Sequence, residues 1–422
     1  MKILILILCR FSLLMLMSSQ VAAQDLGRII SAALLHDSGV QSQVFLERSS
    51  VAKLQSAKWQ FYPTPSIDMQ SAISGFESSV SERVITLSVK QPLWSGGRLQ
   101  ANVDAANIDL SIQNYTTQMQ RVELAQQVVS AYGQWWVAHH KRLTWGRGLE
   151  IHQKLARQVS RRVEVGVSAQ SDLSLAQGRL SATLAEHDLA LAQEQAALDN
   201  LKLLTNIESL SVMSKAQFPS IDVSLSSYPS LLESSLINSL SIKLAHARAE
   251  KALANQVIQK ASLWPQFFIQ AQRQIGDFNQ NDFTSSNKIF FGASSDLKAG
   301  LSFQSDRAAS NEAKSAALAQ VDNEKKRLTR NLRSSLTLLI ASNNRQLSLN
   351  TARINAQSGY QSSSRQFKAG RKDWQEFLNS ARELAQADAQ WVDAYGAYLV
   401  ASWQILLDTQ GLKFMGEINL NE

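Results

Sequence analysis

The sequence predicts a mainly helical protein that contributes a small number of β-strands to a membrane barrel. Three observations predict it: where the prolines sit, two strand pairs with strict alternation, and an internal repeat. The six prolines are Pro63, Pro65, Pro92, Pro219, Pro229 and Pro265. None occurs from residue 93 to 218 or from 266 to 422, and those stretches are rich in Ala, Leu, Gln and Ser. Proline breaks helix interiors, so its absence over such lengths points to long helices. With 45% hydrophobic and 18% charged residues the chain is not disordered. The long helical stretches exclude an all-β protein and an alternating doubly wound α/β fold.

The first segment reads as a targeting sequence. Lys2 gives a positive start, Ile3 to Met17 is apolar apart from a few residues such as Arg10, and Val21-Ala22-Ala23 is a small-residue cleavage site. Cleavage is expected after Ala23. The single cysteine, Cys9, lies inside this segment, so the mature chain is expected to have no disulfide, thiol catalysis or thiolate metal site. Leu8 precedes Cys9 where a lipid-attachment site wants a small residue. Removing Lys2 and Arg10 lowers the formal charge from +7 to +5. That mild basicity, in an exported chain, argues against nucleic acid as a partner.

The two halves resemble each other. Val40, Val44, Arg48, Ala52 and Pro65 align with Leu240, Leu244, Arg248, Ala252 and Pro265. Each half reads as helix, two strands, very long helix, glycine-marked break and another helix. In the strands, Ile67 and Met69, then Ile85, Leu87 and Val89, alternate with polar residues. So do Phe267 and Ile269, and then Ile289, Phe291 and Leu297. Period two places one face in an apolar setting and the other in water. Trp59, Tyr62, Trp94 and Trp264 gather near the strand ends, where aromatic residues suit a membrane interface.

Four strands do not close a membrane barrel, since such barrels need about eight or more. An open edge is not tolerated in lipid, because its backbone groups would lack partners. Several copies must therefore pool strands, and three copies would supply twelve. The stretch from Arg98 to Ser160 would run roughly 95 Å as one helix. Leucine seams at Leu173 and Leu180, at Leu184, Leu191 and Leu198, and at Leu328, Leu332, Leu336 and Leu339 predict antiparallel coiled-coil packing.

The chain divides accordingly. Residues 1–23 are read as the signal peptide and 24–204 as the first repeat. That repeat holds strands at about 66–76 and 83–94 and helices at about 98–161 and 171–204. Residues 205–230 are a linker. The second repeat, 231–410, holds strands at about 266–278 and 288–303 and helices at about 305–367 and 373–410, before a tail at 411–422.

Enzymatic signatures are missing. The sequence has no G-x-S-x-G, no H-E-x-x-H and no G-x-x-x-x-G-K. His139 and His140 are adjacent and point apart on a helix, which makes a poor metal pair. No cofactor is expected.

Three motifs carry a family resemblance. Gln91-Pro92-Leu93-Trp94-Ser95-Gly96-Gly97-Arg98 looks like the strand-to-helix junction of the TolC-like outer-membrane efflux proteins. Arg162-Val163-Glu164-Val165-Gly166, running on to Leu173, looks like the family's periplasmic helix–helix turn. Phe367-Lys368-Ala369-Gly370 followed by Phe377-Leu378 looks like the second.

The resemblance implies a homotrimer with a twelve-stranded barrel in the outer membrane of a Gram-negative bacterium and a helical tunnel in the periplasm. It implies a periplasmic adaptor and an inner-membrane ABC or proton-driven transporter as partners, with outer-membrane lipid around the barrel. It also places a constriction at the helix turns, where Glu376 and Asn379 match aperture positions. A latch would involve Asp172 on one side and Lys372 and Phe367 on the other, although Phe367 lacks the hydroxyl often found there. Cargo would be a secreted protein, in type I secretion, or small toxic compounds. A rival reading from another class is a soluble periplasmic coiled-coil adaptor or structural protein, against which the four alternating strands argue.

Overall fold

The computed structural model describes residues 26–72, 82–210, 219, 224–276, 285–295 and 302–413. The expected signal peptide, Leu297 and most of the C-terminal tail lie outside the described residues.

The elements run α1 (Leu26–His36), α2 (Ser38–Trp59), β1 (Thr64–Ala72), β2 (Glu82–Trp94), α3 (Arg98–Glu164) and α4 (Gln170–Thr205). After a 3₁₀ turn at Leu225–Ser227 the order returns: α5 (Tyr228–Asn238), α6 (Leu240–Ala261), β3 (Gln266–Ile275), β4 (Ser285–Ser294), α7 (Phe303–Lys368) and α8 (Trp374–Gln410). The helix before each strand pair is broken in two, at Asp37 and at Ser239, where a single helix was expected. The fourth strand is described over Ser285–Ser294, residues 296–301 of its expected span of 288–303 lie outside the described residues, and α7 begins at Phe303.

Two compact units emerge, and each draws on both repeats. One holds residues 39–120 and 240–328; the other holds 1–38, 121–239 and 329–422.

The first unit contains the sheet. Its strands are ordered β1-β2-β3-β4, every neighbour antiparallel. Among the described residues β1 and β4 are each paired on one side only. The register slips between Pro92 and Trp94, where proline cannot donate to the ladder and Leu93 is bulged out. At the end of β2 the chain turns into α3 through Gly96 and Gly97, both at positive φ. A side chain on Gly96 would also collide with Trp264. Ser95 Oγ accepts from the Leu99 N–H at 3.3 Å and so satisfies one of the orphan donors at the start of α3.

The second unit is a helical bundle. Leu336, Leu339 and Ile405 are fully buried, with Tyr228 and Leu231 of α5 packed on them. This seals the Leu332–Leu336–Leu339 seam as expected. Leu184 and Leu191 of α4 stay exposed, so at those positions the seam is not used inside the chain. Leu198 of the same seam is half-buried.

Candidate functional site: a two-faced sheet and a helix tip

The strand register sorts the side chains into two faces. Thr64 pairs with Lys90 and Lys90 with Gln270; Ser66 pairs with Ser88 and Ser88 with Gln272. Ser66 and Ser88 share a hydrogen bond of 2.8 Å. Ser66, Asp68, Ser88, Lys90 and Gln270 line one cleft with Arg98 and Gln266. Arg98 donates to Gln266 Oε1 at 2.8 Å, tying the start of α3 to β3. Lys90 Nζ lies 3.8 Å from the centre of the Phe268 ring, a cation–π contact on this polar face. Phe268 in turn covers Gly292, where any side chain would overlap the ring.

The opposite face is apolar and open. Ile67, Met69, Leu87, Val89, Ile269, Ile289 and Phe291 are all exposed, with Ile289 at 77% and Ile67 at 75%. Ile85 shares that face by register with Met69. Phe267 stacks parallel to Phe291 with ring centres 6.3 Å apart. The alternation holds with several departures that strand-by-strand reading missed, Val84 and Phe268 on the polar face among them. Phe290 takes the polar face, opposite Gln270, and Arg273 takes the apolar face, opposite Leu87.

At the helix end of the sheet the aromatics form two groups. Trp59 contacts Tyr62 at 4.9 Å between ring centres, and Trp94 meets Trp264 edge-on at 6.3 Å and Phe267 at 5.7 Å. Trp59, Tyr62, Trp94 and Trp264 are all exposed.

The helix tip lies in the other unit. Gly166 and Gly370 both adopt positive φ, the left-handed geometry that ends a helix. The two turns close alike. Val167 N–H reaches Arg162 O at 2.8 Å, and Arg371 N–H reaches Gln366 O at 2.9 Å. Leu155, Val159, Trp374, Phe377 and Leu378 form a buried cluster beneath them, with Val163, Leu173 and Leu180 against it. Phe367 stacks on Phe377 at 5.1 Å between ring centres.

The tip charges have specific partners. Asp172 accepts from the Ala169 N–H at 3.3 Å, capping its own helix. Lys372 lies 3.3 Å from Glu376 and donates to Ser363 Oγ at 3.0 Å. Within the chain Asp172 and Lys372 are therefore engaged locally rather than with each other. Glu376 and Asn379 are exposed. Asp172 and Glu376 hold the same place in the two repeats, three residues after the helix-capping residues Ala169 and Asp373.

A third polar group, unforeseen in the sequence, sits mid-bundle. Glu194 of α4 receives Arg142 and His139 of α3, the latter at 2.7 Å. Burial raises the Glu194 pKa, but the bonds from His139 and Arg142 outweigh it and hold the carboxyl below its usual range. Among the described residues no cluster of His, Cys, Asp and Glu could hold a metal ion. No described helix is long and apolar enough to cross a membrane, which says nothing of strands.

Residues 29–206 match the family model of outer membrane efflux proteins. The fold is similar to several solved channels. The CmeC outer membrane channel of Campylobacter jejuni is 13% identical with a TM-score of 0.78, covering 92% of this chain and 85% of that one. VceC, an outer membrane protein of Vibrio cholerae, is 15% identical with a TM-score of 0.74, over 92% and 96%. The open state of the MtrE outer membrane channel of Neisseria gonorrhoeae is 13% identical with a TM-score of 0.74, over 92% and 88%. No curated protein matches the sequence. The family match over residues 29–206 and a fold similar to solved outer membrane channels over 92% of the chain agree with the resemblance that the sequence motifs carry.

Proposed function

We propose that the chain is one subunit of a passive exit duct in the outer membrane of a Gram-negative bacterium, coupled through a periplasmic adaptor to an inner-membrane pump. It is a channel component, not an enzyme. One observation carries the reading: a four-stranded sheet with an apolar exposed face, a polar face, and two edge strands that lack a second partner among the described residues. Such edges are stable in lipid only if other copies complete them. Three copies are the number that the family resemblance implies. The exposed Leu184 and Leu191 offer an apolar helix row for contacts between copies. The test is mass measurement of the detergent-extracted particle together with conductance in a planar bilayer. Three chains per particle and a conducting pore are expected. A stable monomer with native strand content would overturn the barrel.

The gate belongs to the same proposal. Glu376 from each copy would ring the periplasmic mouth, with Asn379 as a neutral neighbour, and attract cations. Lys372 beside Glu376 would offset part of that charge. The Asp172–Lys372 latch would form only in the assembled mouth, in exchange for these local contacts. A charge swap, Asp172→Lys with Lys372→Asp, should then restore gating that either single change disturbs. Gating disturbed equally by the single and double variants would remove the latch. Cargo, whether secreted protein or small molecule, would be set by the pump that the duct serves.

A further inference from the structure

Arg273 breaks the apolar face at the level of Leu87. Across the sheet it pairs with Leu87 on β2 and with Asn287 on β4. It is exposed, and it has no hydrogen-bond or ionic partner among the described residues. Because β3 is an inner strand, its neighbours on both sides belong to the same chain. A second copy would meet the sheet at β1 or β4 and would not bring a carboxylate directly beside Arg273.

The same face is uneven. At this level the first hairpin offers Ile67 and Leu87, whereas the second offers Arg273 and Asn287, with Ser285 one pair further along. Two adjacent strands thus present a guanidinium and a carboxamide side by side, next to the apolar Leu87 and Ile289. An arginine on a lipid face costs about 2–4 kcal/mol at the membrane midplane and less near the interface. Arg273 is six residues beyond Phe267, which sits at the aromatic end of the sheet. At a strand tilt of about 40° this is about 15 Å of an apolar band about 25 Å tall. Arg273 therefore lies in the far half of the band, within snorkelling range of the headgroups at the loop end.

We propose that Arg273, with Asn287 beside it, binds the phosphate of an anionic lipid in the surrounding outer leaflet. This rests on the outward placement of the apolar face. Guanidinium and phosphate match as a bidentate pair, and a carboxamide N–H adds a donor from the next strand. The apolar residues around the pair would hold the acyl chains, which a free phosphate ion lacks.

The test uses the full-chain assembly in detergent, with bisphosphorylated lipid A as the probe and native mass spectrometry as the readout. Wild type should retain the lipid. Arg273→Gln should retain roughly tenfold less, consistent with loss of a charge-assisted bidentate contact, and Asn287→Ala should lose a smaller share. Lipid A stripped of its phosphates should bind wild type and Arg273→Gln alike. Equal retention of the phosphorylated lipid by wild type and Arg273→Gln overturns the site. Displacement of the lipid by millimolar inorganic phosphate overturns the lipid as its source. A separate measurement checks the face itself: Leu87→benzoylphenylalanine should photo-cross-link to lipid in membranes. If it cross-links to no lipid, the outward placement is wrong and the site falls with it.

Discussion

Gly396 of α8 lies directly against Val137 of α3, and one turn away Gly133 of α3 lies against Val400 of α8. Any side chain at either glycine would overlap the opposing valine. The two helices thus interlock through a reciprocal pair of notches and knobs, and this sets how closely they approach. Trp136 and Tyr395, stacked at 4.9 Å, fill the space beside the notches.

Gly396→Leu should therefore force α3 and α8 apart. Overpacking of this kind costs typically about 1–3 kcal/mol. Thermal unfolding of the extracted protein should show the loss, and Val137→Ala combined with Gly396→Ala should recover part of it. Unchanged stability of Gly396→Leu would mean that the two helices are not in contact there in solution.

Leu87→Arg and Thr86→Arg test the faces of the sheet. Leu87 is on the exposed apolar side and Thr86 on the side of Ser88 and Lys90. The first change should lower barrel stability by about 2–4 kcal/mol if Leu87 is near the midplane, the second by much less. Urea titration of the barrel folded into vesicles measures both. Equal losses would contradict the assignment of faces.

Glu376→Gln and Lys372→Ala should act in opposite directions on ion selectivity. The first removes a mouth carboxylate and should lower cation preference. The second releases Glu376 from its partner 3.3 Å away and should raise it. Reversal potentials in a salt gradient report both shifts. A selectivity that ignores both variants would place the mouth charges elsewhere.

His152 predicts a pH dependence. It is 3% exposed and its Nδ1 has no hydrogen-bond partner among the described residues. Burial, then the charges of Arg179 and Arg382, hold its pKa below the ordinary 6.5. The unfolded chain therefore binds a proton that the folded chain refuses, so stability rises with pH up to about 6.5 and falls as pH drops below it. The slope from this group is at most about 1.4 kcal/mol per pH unit per chain. His152→Leu should flatten the fall between pH 6.5 and 5 in thermal melts. A wild-type fall that His152→Leu leaves unchanged would assign the effect to other groups.

Gly166 and Gly370 should resist replacement. At positive φ an alanine at either site costs roughly 1–2 kcal/mol of backbone strain. Their Cβ positions are open, so any loss would be purely conformational. Melts of Gly166→Ala and Gly370→Ala should both shift down, and an unshifted melt would mean that the turn relaxes to another geometry.

Much of the architecture was legible in the residues because its signals are local. Proline-free stretches mark α3, α4, α7 and α8, and alternation marks four strands, since both act over a few neighbouring residues. Gly166 and Gly370 were legible as turn glycines for the same reason: a left-handed φ is a property of one residue. The strand ends were harder, because a β-to-helix junction depends on packing, and α7 begins at Phe303 where a strand was expected.

The rest depends on which distant segments meet. Alternation read along one strand cannot show that Arg273 stands opposite Leu87, because that follows from the pairing of two strands from different halves of the sequence. The leucine spacing of α4 looks the same at Leu173 and Leu180, which join the tip cluster, as at Leu184 and Leu191, which remain exposed. Lys372 could have paired with Asp172 or Glu376, and the turn geometry selects Glu376 within the chain. Sequence by itself determined the element types and the two-faced sheet, because periodicity and backbone sterics are short-range. Only the tertiary structure decided partners and exposure, because those are set by register and helix packing between residues far apart in the chain.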